Sequence, residues 1–175
     1  MSFFFYFAFG SNLLKARIQY MNKGAIFHSI GCLQNYSLEF VSHGKRWHGS
    51  LATILATNGT SEDKISPVWG CVWKVPEEFS ATLDEQEKGY HRLEVPIEVN
   101  GEIITCRTYQ FSDLNATKAD PSPHYKKVIV EGAKEHHLPA EYQEKLNQIK
   151  SNGYVGKVDV DIPILKSLNG YKESL

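Results

Sequence analysis

The stretch Tyr6-Phe7-Ala8-Phe9-Gly10-Ser11-Asn12-Leu13-Leu14 changes character at its glycine, and the rest of the chain reads outward from that change. The aromatic run beginning at Phe3 is short, stiff and apolar, as a buried strand is. Past the glycine, Leu14, Ile18 and Met21 recur at helical spacing until Asn22-Lys23-Gly24 stops the pattern. Gly10 can adopt backbone angles closed to other residues, and Ser11 or Asn12 can cap a first helical turn. A strand that breaks through glycine into a helix start leaves several backbone N–H groups unpaired. Such groups can hold a carboxylate or a developing oxyanion. A plain strand-turn-helix connection fits the same residues.

At 175 residues the chain is long enough for one domain, residues 1–175, with a substantial core. Hydrophobic residues make up 42% and charged residues 22%, the balance of a soluble globular protein. A formal net charge of −1 gives no electrostatic footprint for nucleic acid or an anionic membrane. The Phe3–Phe9 run is too short to cross a bilayer and no Lys or Arg precedes it, so it reads as core and not as a signal peptide. Cys32, Cys71 and Cys106 are odd in number and form no C-x-x-C pair, which points to buried reduced thiols in a cytosolic protein.

From Gly24 to Val75 the pattern is mainly β. Tyr36, Leu38 and Phe40 alternate with polar neighbours, His43-Gly44-Lys45-Arg46 is a polar turn, and Leu51–Ala56 and Val68–Val75 are further strands. Asn58–Pro67 is a polar loop and the expected mobile segment of this half. Leu93–Val99 and Glu102–Tyr109 flank Asn100-Gly101, a strong hairpin signal. Ser122-Pro123 opens a helix whose inward stripe is Tyr125, Val128, Ile129, Gly132 and Ala133. Pro139 opens another, through Tyr142, Leu146 and Ile149. After Ser151-Asn152-Gly153 the remainder, interrupted by Pro163 and Gly170, is expected on the surface. These elements make one α+β domain, a small barrel with helices packed outside.

The sharpest chemical signal lies between Pro76 and Gly89. A short helix there carries Phe79, Leu83 and Glu87 four residues apart, whereas Glu77, Glu78 and Glu85 face water. A carboxyl group carried inward is desolvated, which raises its pKa and suits it to proton transfer. The competing reading is a boundary glutamate that pairs with a neighbour such as Arg92. His48 and His136-His137 read as surface or capping residues and not metal ligands. Trp47, Trp69 and Trp73 read as core or pocket wall, and Lys126-Lys127 as a solvated helix edge.

Three of these stretches together resemble the γ-glutamylcyclotransferase family: the Tyr6–Leu14 turn, Leu83-Asp84-Glu85-Gln86-Glu87, and Pro121-Ser122-Pro123-His124-Tyr125-Lys126-Lys127. The run Gly132-Ala133-Lys134-Glu135, with Leu138-Pro139 and Glu141-Tyr142-Gln143-Glu144-Lys145-Leu146, is similar to the animal members that act on γ-glutamyl dipeptides. The resemblance runs from Tyr6 to about Lys157. It implies a small mixed β-barrel flanked by helices, and a lyase-type cyclisation of γ-glutamyl-amino acids to 5-oxoproline and a free amino acid. It further implies no metal or organic cofactor, a cytoplasmic homodimer and a part in glutathione breakdown.

Carried over by position, the resemblance puts the acid/base glutamate at Glu87. It puts the substrate loop at Tyr6, Phe7, Ala8, Phe9, Gly10, Ser11 and Asn12, and a substrate-contacting tyrosine at Tyr125. The chemistry suits these residues. The substrate's own α-amine is the nucleophile, so the protein needs a clamp, a base and an acid, and not a Ser or Cys nucleophile. Two departures stand out: Phe9 replaces the family's usual Tyr, and Lys88 intervenes between the glutamate and Gly89. Sister activities on γ-glutamyl-ε-lysine or glutathione, and a non-catalytic module that binds a γ-glutamyl ligand, remain as alternatives.

Overall fold

The computed structural model describes residues 1–57 and 67–170. Its strands are β1 (Phe3–Ala8), β2 (Ile26–Leu33), β3 (Tyr36–Gly44), β4 (Gly49–Ala56), β5 (Val68–Pro76), β6 (Tyr90–Val99) and β7 (Glu102–Phe111). The helices are α1 (Lys15–Met21), α2 (Ser80–Gln86), α3 (Pro123–Glu135) and α4 (Ala140–Asn147). Five strands close into a barrel in the order β1-β5-β2-β6-β7. β1 is antiparallel to β5 and parallel to β7, where Tyr6 stands opposite Arg107. Paired on both edges and buried along Tyr6–Ala8, β1 carries a continuous apolar run and not an alternating one. The other barrel pairings are antiparallel, so the sheet is mixed.

β3 and β4 stay outside the barrel as a separate two-stranded sheet. The alternation of Tyr36, Leu38 and Phe40 marks a strand but not the sheet it joins, because pairing is non-local. Side chains tie β4 across to the ends of β6 and β7. The Tyr90 hydroxyl donates to the Ala52 carbonyl at 2.7 Å, the Gln110 amide to the Ile54 carbonyl at 2.9 Å, and the Phe111 N–H to Thr53 Oγ1 at 2.9 Å. The β6–β7 hairpin turns at Asn100 (φ 50°) and Gly101 (φ 82°), a pair of positive angles that matches the twist of two-residue hairpins.

α3 begins as its sequence predicts, with Pro123 in the first turn and the Ser122 hydroxyl accepting from the Tyr125 N–H at 3.2 Å. Its inward stripe is buried throughout. Gly132 lets this helix lie directly on the loop after β1: a Cβ there would sit 2.6 Å from Leu13 Cβ and 2.7 Å from the Leu14 nitrogen. α4 buries Tyr142 and Leu146 and ends before Ile149.

Several expectations change. Ser11–Leu13 form a 3₁₀ turn and α1 starts only at Lys15, with no side-chain cap at either start. Leu14 remains extended (φ −80°, ψ 125°), so strand and helix are separated by a kinked segment. The segment after Gly153 is not superficial. Val158, Val160, Ile162 and Leu165 are buried, and Asn169 Oδ1 accepts from the Val158 N–H at 3.0 Å. The period-two spacing of 158, 160 and 162 between exposed Asp159 and Asp161 is the signal that Pro163 and Gly170 obscured. The polar loop expected at Asn58–Pro67 falls almost wholly outside the described residues. Cys32, Cys71 and Cys106 are free and buried. Among the described residues no helix is long and apolar enough to cross a membrane.

Gly132→Ala should force the α3–loop contact apart and lower stability by about 1–3 kcal/mol, the usual cost of overpacking. The shift in urea midpoint measures it.

Candidate active site

Where β1 leaves the barrel, Gly10 (φ −112°, ψ −135°) turns the chain into the Ser11–Leu13 turn. The Leu13 N–H donates to the Gly10 carbonyl at 3.0 Å, while the N–H groups of Ser11 and Asn12 meet no backbone acceptor among the described residues. That is the usual state of the first N–H groups of a helical turn. Asn12 points back instead of capping: its Nδ2 donates to the Tyr6 hydroxyl at 3.1 Å. This loop forms one wall of a small hollow of about 50 Å³, completed by Ala52, Glu87, Tyr90, Tyr109 and Tyr125.

Glu87 reaches the hollow by a different route from the one its spacing predicts. α2 ends at Gln86, and Glu87 leaves helical geometry as the residue that caps it (φ −92°, ψ 38°). Its N–H still bonds the Asp84 carbonyl at 3.2 Å, and its own carbonyl accepts from the Tyr90 N–H at 2.9 Å. The carboxyl makes no hydrogen bond or ion pair among the described residues. Arg92, its expected alternative partner, is bound to Asp84 Oδ1 at 2.8 Å. Burial therefore dominates at Glu87 and lifts its pKa from 4.5 to about 7, with the charges of Arg17 and Arg46 pulling the other way.

Tyrosines surround this acid. The Tyr125 hydroxyl accepts from the Ala52 N–H at 3.0 Å, which leaves its own proton free to donate. The same oxygen lies 3.3 Å from where a Cβ on Gly10 would stand. Tyr109 donates to Asp84 Oδ1 at 2.5 Å, and its ring meets that of Tyr6 edge-on at 5.9 Å. Burial pushes all four hydroxyls, those of Tyr6, Tyr90, Tyr109 and Tyr125, above the ordinary range. They stay protonated and act as neutral donors.

Outside Glu87 the hollow widens into a pocket of about 390 Å³, sharing Ser11, Asn12, Glu87, Tyr90 and Tyr125 with it. Arg17, Lys45, Arg46 and Lys88 bring positive charge to this outer pocket, and Trp47 forms part of its wall. The expected site residues therefore divide. Tyr6, Phe9, Gly10, Ser11, Asn12, Glu87 and Tyr125 converge on the hollow. Phe7 and Ala8 do not line it; they are enclosed in the barrel, where the Phe7 carbonyl accepts from Thr108 Oγ1 at 2.8 Å. Phe9 lines the hollow without a hydroxyl to offer it, and Lys88 stands exposed at the outer rim.

Sequence reasoning missed Tyr90, Tyr109, Ala52, Arg17 and Arg46. Strand pairing brings the first three in and leaves no local trace. Arg17 did leave one, since it falls three residues after Leu14 and beside Ile18 on the inward stripe of α1.

Residues 67–146 match the AIG2-like family. The chain is also 46% identical over 168 residues to the γ-glutamylcyclotransferases of Bos taurus and Homo sapiens, covering 91% of this chain and 85% of each relative. A solved γ-glutamyl cyclotransferase superposes with a TM-score of 0.82 at 43% identity, covering 90% of this chain and 94% of that one. The chain belongs to the γ-glutamylcyclotransferase family and is an enzyme of it. The barrel that the sequence resemblance implies is the fold observed.

Replacing Glu87 should change stability in a pH-dependent way. A carboxyl whose pKa is higher folded than unfolded binds its proton more tightly in the native state. Its stabilising contribution is complete below 4.5 and is lost as pH rises through about 7. Glu87→Gln should therefore gain melting temperature relative to wild type as pH is raised across that window. A Tm difference that stays constant with pH would show that the carboxyl is not enclosed.

Proposed function

We propose that the enzyme converts γ-glutamyl-amino acids into 5-oxoproline and a free amino acid, with Glu87 carrying the proton. The supporting observation is a single unpaired carboxyl, with a pKa of about 7, facing a glycine-broken strand end across a small hollow. The γ-glutamyl group enters the hollow and folds back, so that its α-nitrogen meets its own γ-carbonyl carbon. Tethering of this kind corresponds to an effective molarity of order 10⁵ to 10⁸ M, which removes the need for a protein nucleophile.

Glu87 takes a proton from the α-ammonium group. The freed amine forms the ring C–N bond, and the carbonyl electrons move onto oxygen. The N–H groups of the Gly10–Asn12 loop and the hydroxyls of Tyr6 and Tyr125, whose protons are not given to protein acceptors, stabilise the anionic groups of the bound substrate. As the intermediate collapses, the bond to the departing nitrogen breaks and Glu87 returns the proton to it. The ring nitrogen then gives up its second proton through the same carboxylate, so the lactam keeps one N–H and the amino acid leaves as its ammonium form. A pKa near neutrality serves both transfers, since the group must accept and donate at the same pH. The outer pocket receives the departing amino acid.

The family likeness extends this reading to a cytoplasmic homodimer that acts in glutathione breakdown. Light scattering of the purified protein should give twice the chain mass.

Purified enzyme should release 5-oxoproline from γ-glutamyl-alanine faster than from γ-glutamyl-ε-lysine or glutathione. Glu87→Gln should fold and lose roughly 10²-fold or more in kcat, the scale of a proton-transfer group. For wild type, kcat/KM should rise with pH and level off above about 7, where free Glu87 becomes a base. Wild-type turnover by Glu87→Gln would end the assignment.

A further inference from the structure

Arg17 is buried, with 8% of its surface exposed, yet its guanidinium makes no hydrogen bond or ion pair among the described residues. Its contact with protein charge or π density is the Trp47 ring, 5.8 Å from the guanidinium carbon. Of its three nitrogens only Nε is shut from solvent, so the terminal pair open into the cavities it lines. A guanidinium taken out of water without a counter-ion is costly, and an anion arriving beside it recovers that cost.

Arg46 lies on the same two cavity walls, and its charge opposes that of Arg17. Two mutually repelling arginines without a carboxylate within ion-pair distance, on a pocket wall where Lys45 and Lys88 also outweigh Glu85 and Glu87, make a local excess of positive charge. Glu87 attracts both from farther off, but its own work needs it free for proton transfer. Asp159 and Asp161 sit on the wall of the adjoining cavity of about 260 Å³ and pair with neither arginine. What is missing is a planar, two-oxygen anion, which a guanidinium fork fits in bidentate fashion.

We propose that Arg17 and Arg46 form the subsite for the free α-carboxylate of the departing amino acid. The proposal rests on the γ-glutamyl reading given above, and it names what the outer pocket recognises. The inner hollow is too small for a whole dipeptide, so the far half of the substrate must lie beyond Glu87, where the arginines stand. The subsite selects γ-glutamyl-amino acids over γ-glutamyl amides and amines, which offer no anion at that position. Its effect lies in substrate binding and therefore mainly in KM.

The test compares γ-glutamyl-alanine with γ-glutamyl-alaninamide in the wild type, Arg46→Met and Arg17→Met. Wild type should favour the carboxylate substrate by roughly tenfold or more in kcat/KM, the scale of a charge-assisted contact. That preference should fall toward one in either variant, through a rise in KM for γ-glutamyl-alanine. If Arg17 acts only by tuning Glu87, both substrates slow equally and the ratio survives, which would overturn the subsite. A wild-type ratio near one would also overturn it, while leaving the cyclisation intact. Failure of wild type to turn over either substrate would remove the cyclisation, and the subsite with it. Arg46 is exposed, so Arg46→Met decides the matter even if Arg17→Met does not fold.

Discussion

The half-buried carboxyl of Glu87, without a counter-ion in contact, sets the terms for the rest of the molecule. Leaving it unpaired is unfavourable, and several elements are arranged to keep it so. α2 stops one residue short and hands Glu87 to an irregular turn, while Asp84 in the same helix occupies Arg92. Arg107 lies 3.8 Å from the same Asp84 oxygen and stacks over the Phe4 ring, so the neighbouring cations are engaged elsewhere. The barrel supplies the rigid wall, and the separate β3–β4 hairpin supplies the opposite one through Ala52.

Two compartments with different electrostatics meet at that carboxyl. Inside, neutral hydroxyls offer directed hydrogen bonds without adding charge. Outside, the cations of α1 and the β3–β4 turn moderate the desolvation of Glu87, which keeps its pKa near neutrality. Balance between burial and distant positive charge lets one residue accept and release a proton at the same pH.

What was legible in the sequence was local. The Asn100-Gly101 hairpin, the α3 stripe and the inward acid all follow from spacing within one element. Glu87 lines the hollow although the helix ends before it, at Gln86. Applied to α1, the same spacing places Arg17 beside Ile18 on the inward stripe. Tyr90 and Tyr109 were not readable, since strand register alone brings their hydroxyls to the hollow. Phe7 and Ala8 were included because the motif is contiguous in sequence. A strand does not present contiguous residues to one side: Phe7 turns the other way, and the methyl group of Ala8 is short.

The barrel closes between its first strand and its last, where Tyr6 stands opposite Arg107. During synthesis, the aromatic run of β1 leaves the ribosome long before either β5 or β7 exists to cover it. Contacts this distant along the chain form slowly, and an uncovered apolar strand is prone to pair with other chains meanwhile. The segment that begins the active-site wall is thus the one whose covering strands come latest along the chain.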